Sequence, residues 1–61
     1  MTIEERSFTS IADIYAFVAE MQNVIGEVWI EQGPYRVNGK SIMGIFALDL
    51  ASPVKVIIWD K

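Results

Sequence analysis

The 61-residue chain contains no cysteine and no histidine. Without thiols there is no disulfide staple, no zinc-finger spacing and no thiolate nucleophile. Without imidazole the usual acid/base group near neutral pH is missing, as is a ring nitrogen that could carry a phosphoryl group. Positive charge is scarce as well. Five Lys and Arg stand against eight Asp and Glu, a net charge of −3. The five (Arg6, Arg36, Lys40, Lys55 and Lys61) are scattered along the chain. A phosphate-backbone footprint needs them clustered, so no nucleic-acid partner is expected. No apolar run approaches the roughly 20 residues that cross a bilayer. The opening Thr2-Ile3-Glu4-Glu5 is acidic, where a secretory leader begins basic. The expectation is a cytoplasmic protein with no membrane partner.

What the chain does have is apolar surface: 52% of its residues are hydrophobic, with two Trp, two Tyr and three Phe. A domain of this length buries only about 60% of the surface its unfolded chain exposes, so a lone core is marginal. Small domains compensate with disulfides, a metal or a partner subunit. With cysteine and histidine gone, a homo-oligomer is the expected supplement, and neither a metal nor a cofactor is.

The pattern along the chain reads β-α-β-β-α-β, an α+β domain over residues 1–61 built as a small sheet with helices on one face. Thr2 to Phe8 is the first strand. Thr9-Ser10 offers an N-cap, with Asp13 placed where a carboxylate suits a helix start. Ile11, Ile14, Phe17, Val18, Met21 and Ile25 then follow helical spacing, and Gly26 stands at the exit. Glu27–Glu31 is a strand, Gly33-Pro34 a turn, and Tyr35–Val37 the returning arm of a hairpin. Asn38-Gly39 breaks that arm, Ser41 caps a short helix over Ile42–Leu48, and Val54–Trp59 is the last strand.

Alternation places Val28 and Ile30 on one face of the sheet, with Val54, Val56 and Ile58. Trp29, Ile57 and Trp59 fall on the other, which the helices leave open. Two tryptophans and an isoleucine there are the expected oligomer interface. The alternative is an amphipathic surface with scattered exposed aromatics.

The segment Val37-Asn38-Gly39-Lys40-Ser41-Ile42-Met43-Gly44-Ile45 resembles the HPr family, the phosphocarriers of the bacterial sugar phosphotransferase system. That family carries Lys-Ser-Ile-Met-Gly or a near variant at the start of its second helix. Glu27–Glu31, Leu48 and the Val-Lys-Val-Ile-Ile strand fall at the family's spacing, so the resemblance spans roughly residues 10 to 60. It implies an HPr-like open-faced sandwich, a four-stranded antiparallel sheet with helices on one face and the C-terminal helix missing.

Two departures shape the functional expectation. In the family's register the phosphorylated histidine falls on Ser10, its neighbouring arginine on Ala12 and its proline on Asp13. A serine phosphate ester lacks the transfer potential of a phosphoimidazole, so phosphocarrier activity is excluded. The family also closes with a third helix after the last strand, where this sequence stops at Lys61. The core face is then expected to expose Val54, Val56, Ile58 or neighbours, again favouring a homo-oligomer or a swapped arrangement.

The resemblance further implies that Ser41 is a regulatory phosphosite. The nearest pattern is the histidine-less family member that acts only in catabolite repression. Implied partners are an HPr serine kinase or a catabolite-control transcription factor. Lys40, Ile42, Met43 and Phe46 match the partner-binding patch. Physically, a helix N-terminus suits a dianion, and Lys40 adds a cation in the sequence. Two alternatives stay open: Ser41 as a helix cap alone in a purely structural homo-oligomer, and Met43 and Phe46 as core residues. The missing arginine at Ala12 argues against the corepressor role, and Asp49 stands where the family has glycine. No enzyme is expected. The eight carboxylates are dispersed, and Gly39-Lys40-Ser41 lacks the upstream glycine of a phosphate loop, with Pro34 and Tyr35 in its place.

Overall fold

The computed structural model describes residues 1–60; Lys61, one of the five basic residues, lies outside them. Strand β1 (Thr2–Arg6) leads to Ser10, whose extended backbone (φ −157°, ψ 165°) opens helix α1 (Ile11–Met21). The Ser10 hydroxyl oxygen accepts the Asp13 N–H at 3.1 Å, satisfying a donor the first turn leaves free. The Asp13 carboxylate in turn accepts from the Thr9 hydroxyl and from the Thr9 N–H at 3.0 Å. The hydroxyl bond, ahead of the backbone one, holds Asp13 below its ordinary value of 3.8, because both favour the charged form. Phe8, expected to end the strand, instead turns into the core and meets Phe17 edge-on at 5.3 Å.

Helix α1 buries Ile14, Phe17, Val18 and Met21, the i, i+3, i+4, i+7 stripe. It stops one turn earlier than its spacing predicts. The Gln22 N–H closes on Val18 O at 3.1 Å, then Asn23 and Val24 tighten into three-residue turns. Ile25 is consequently exposed. Gly26 is not the helix exit but the first residue of strand β2 (Gly26–Gln32). Its φ is +134°, and a Cβ there would lie 2.0 Å from the Trp59 carbonyl oxygen, so a side chain is excluded.

Strand β3 (Tyr35–Asn38) returns after Gly33, whose φ of +57° forms the turn. Helix α2 (Ile42–Phe46) and strand β4 (Val54–Asp60) complete the chain. The four strands pair antiparallel in the order β1-β4-β2-β3. Helix α2 is shorter than predicted: Ala47 is its C-cap, and Leu48 folds beneath it into the core.

One expectation is corrected here. Val54 and Val56 are not exposed, and Ile58 is half-buried. They join Ile14, Phe17, Val18, Met21, Val28, Ile30 and Ile45 in one cluster, which brings both helices onto the same face of the sheet. The edge of that face is closed by β1, whose Thr2, Glu4 and Arg6 stand opposite Ile58, Val56 and Val54. Arg6 bonds Glu4 at 3.0 Å and lays its guanidinium 4.8 Å from the Phe17 ring centre. Its stem covers apolar surface while its charge stays paired. This weakens one of the three reasons for expecting an oligomer: Val54 and Val56 are covered, while Ile58 stays half-buried beside the exposed Ile25.

Candidate functional site

The loop into α2 is held from several sides. The Gly39 N–H donates to Val28 O at 2.7 Å, and a Cβ on Gly39 would stand 2.4 Å from Val28 Cγ1. The Asn38 side chain accepts the Lys40 N–H at 2.8 Å. The Lys40 ammonium donates to Val24 O at 2.7 Å and Gly26 O at 3.2 Å, while the Gln22 amide donates to Lys40 O at 3.0 Å. Lys40 is therefore a brace between the α1–β2 connection and the start of α2. Its charge is committed to two backbone carbonyls rather than to the hydroxyl of Ser41.

Ser41, half-buried, is the N-cap of α2. Its hydroxyl oxygen accepts the Gly44 N–H at 3.1 Å. Beyond it α2 turns Ile45 fully into the core and rests Ile42 partly against it. The remaining side chains face outward. Met43 is 81% exposed, and Phe46 is 38% exposed. The Phe46 ring stands edge-on to Tyr15 of α1, with centroids 6.5 Å apart. Tyr15 is exposed, and so is Ile11, one turn earlier on the same face of α1. Exposed Ala12 and Ala47 lie beside them. The six residues Ile11, Ala12, Tyr15, Met43, Phe46 and Ala47 form a surface patch without a charge, bridged by the Tyr15–Phe46 contact.

Ile11 and Tyr15 were not legible as site residues, since Ile11 matches the buried stripe in spacing. The usable signal was the Ile11–Tyr15 pair at i, i+4, offset from Ile14, Phe17 and Val18. Gln32 was missed as well. Its amide clamps the loop after α2, donating to Asp49 O at 2.7 Å and accepting the Asp49 N–H at 2.8 Å. The Asp49 carboxylate caps Ala51 N–H and the Ser52 hydroxyl, both at 3.1 Å, so the aspartate organises its own turn.

The open face of the sheet is built differently. Ile57 stands directly between Ile3 and Trp29 and is only 8% exposed. The Trp29 indole N–H donates to Glu27 Oε1 at 2.9 Å, and Arg36 lies 4.6 Å over its ring. Glu31 sits 3.9 Å from Arg36 Nε and 4.0 Å from Lys55 Nζ. Trp59, opposite Glu27, stays half exposed. Thus Trp29, Ile57 and Trp59 share a face but not an environment.

Ser10, at the position matched to the family's histidine, is occupied in capping α1. Among the described residues no cluster of three potential metal ligands occurs, and no helix is long and apolar enough to cross a membrane. No match was found among protein-family models, curated proteins or solved structures.

Proposed function

We propose that the chain is an HPr-like protein-interaction module that docks partners on the α1–α2 patch and is regulated at Ser41. The observation that carries this reading is the uncharged exposed set of Ile11, Tyr15, Met43 and Phe46 next to a half-buried N-cap serine. The Lys40-Ser41-Ile42-Met43-Gly44 segment supports it from the sequence. The β-α-β-β-α-β order with both helices on one face is consistent with that layout. Apolar patches of this kind mark partner surfaces, and Met43 can adapt its thioether to different ones.

The regulatory step is transfer of the ATP γ-phosphoryl group to Ser41 Oγ, with the hydroxyl proton lost and ADP leaving. The new dianion keeps the Gly44 N–H, which already donates to Ser41 Oγ, and sits at the first turn of α2, where negative charge is favoured. Because Lys40 is held by Val24 and Gly26 carbonyls, most of the added charge stays uncompensated beside Met43. Phosphorylation thus converts an apolar edge into a charged one and changes which partner fits. The resemblance implies an HPr serine kinase or a catabolite-control transcription factor as the partner, and Ala12 in place of the family's arginine argues against the second.

The test is intact mass after incubation with ATP and an HPr serine kinase, with Ser41→Ala as control. One phosphate on the wild type and none on the variant supports the reading. An unmodified wild type leaves Ser41 as a helix cap and overturns the regulatory half of the proposal.

A further inference from the structure

The open face of the sheet displays, within the chain itself, how it holds a guanidinium. Arg36 stacks 4.6 Å over the Trp29 ring and places its Nε 3.9 Å from a Glu31 oxygen. Aromatic face and carboxylate act together, the arrangement for which arginine is better shaped than lysine. A second tryptophan lies diagonally beside the first. Trp59 is half exposed, its cross-strand neighbour is Glu27 and its chain neighbour is Asp60. With Trp29 and Arg36 these residues line a groove of about 420 Å³.

The charges in this groove favour a cation. The groove's own lining sets two carboxylates, Glu27 and Asp60, against the Arg36 guanidinium. Arg36 shares Glu31 with Lys55, and Asp60 has the N-terminal amine 3.9 Å away, which leaves Glu27 as the carboxylate that faces the groove outside any ion pair among the described residues. Glu27 gives one oxygen to the neutral Trp29 indole N–H, and a carboxylate retains lone pairs for further donors. The whole chain carries a net charge of −3, which attracts basic partners. We infer that the Trp59–Glu27 groove is a docking site for an arginine side chain of a partner protein. It lies on the sheet face opposite the helices and is independent of the Ser41 reading.

The experiment is a titration of the ¹⁵N-labelled chain with acetyl-Arg-Gly-Arg-amide, followed by NMR, with the citrulline analogue as the uncharged control. The Trp59 indole and the Glu27 and Asp60 amides shift saturably with the arginine peptide and stay in place with the citrulline one. Trp59→Ala weakens binding roughly two- to five-fold, the worth of one exposed cation–π contact. Glu27→Gln weakens it as well and flattens its salt dependence. Equal shifts with citrulline overturn the proposal, as do shifts confined to the α1–α2 patch. So does concentration-dependent broadening at Trp59 without peptide, because a second copy would then be sealing the groove.

Discussion

On the helical side of the molecule, Tyr15 and Phe46 touch edge-on and leave Met43 and Ile11 exposed beside them, with no charge in the set. On the open sheet face each tryptophan has a charged neighbour: Trp29 has Glu27 and Arg36, and Trp59 has Glu27 across the strand. Ile57, in the middle of that face, is nearly as buried as a core residue. The same residue types therefore make two different surfaces. One is a patch whose apolar area is unsatisfied in the free chain. The other is a solvent-facing sheet whose cross-strand pairs cover Ile57 at its centre, while Ile3 and Trp59 stay about half exposed beside it. The count of exposed aromatics does not separate them; the neighbours of each ring do.

The comparison is sharpened by substitutions of decreasing effect. Ile57→Ala should destabilise the fold by about 2–4 kcal/mol, since it opens a hole between Ile3 and Trp29. Urea unfolding reads this directly, and a loss near zero would mean that Ile57 is not covered. Ser41→Ala should cost about 1 kcal/mol for the lost cap, whatever its regulatory role. Arg36→Ala should cost about 0.5–1 kcal/mol, the range for an exposed cation–π pair, and should alter Trp29 fluorescence. A silent Arg36→Ala would remove the internal precedent for arginine docking.

Asp13→Asn gives a smaller effect with a defined pH signature. The folded Asp13 sits below its ordinary 3.8, so its charged form is favoured in the native state. Its contribution is fully present above that ordinary value and is lost as pH falls through the lowered folded one. Wild type should be the more stable protein at neutral pH, and the two should converge as the pH drops below 3.8. A gap that persists undiminished well below 3.8 would show that Asp13 acts without its charge.

Much of the fold was readable because local chemistry and global packing agree in it. Ser10 and Ser41 cap the two helices, Gly33-Pro34 makes the hairpin, and alternation in β2 and β4 sorts the faces correctly. The failures are instructive. Ile25 continues the helical stripe in spacing, yet Gly26 is needed against the Trp59 carbonyl, and that tertiary demand ends the helix early. Val54 and Val56 looked exposed because nothing in a linear reading shows that Arg6 will lie over Phe17 at the edge of the core. At the candidate site, Met43 and Phe46 were legible from the motif. Tyr15 was not, since it joins them only through a contact between helices 31 residues apart in the chain. Lys40 was read as a cation beside Ser41, and two backbone carbonyls held elsewhere in the sequence decide otherwise.

The most direct test of the central claim compares initial rates of Ser41 phosphorylation by an HPr serine kinase in wild type, Met43→Glu and Trp59→Ala. Met43 is 81% exposed, so its substitution should leave stability within about 0.5 kcal/mol and any rate change reports on docking. The account predicts a rate lowered at least tenfold in Met43→Glu and unchanged in Trp59→Ala, as expected for an apolar anchor at the centre of an interface. Equal rates in all three, or a loss confined to Trp59→Ala, would contradict it and move the partner surface to the open face of the sheet.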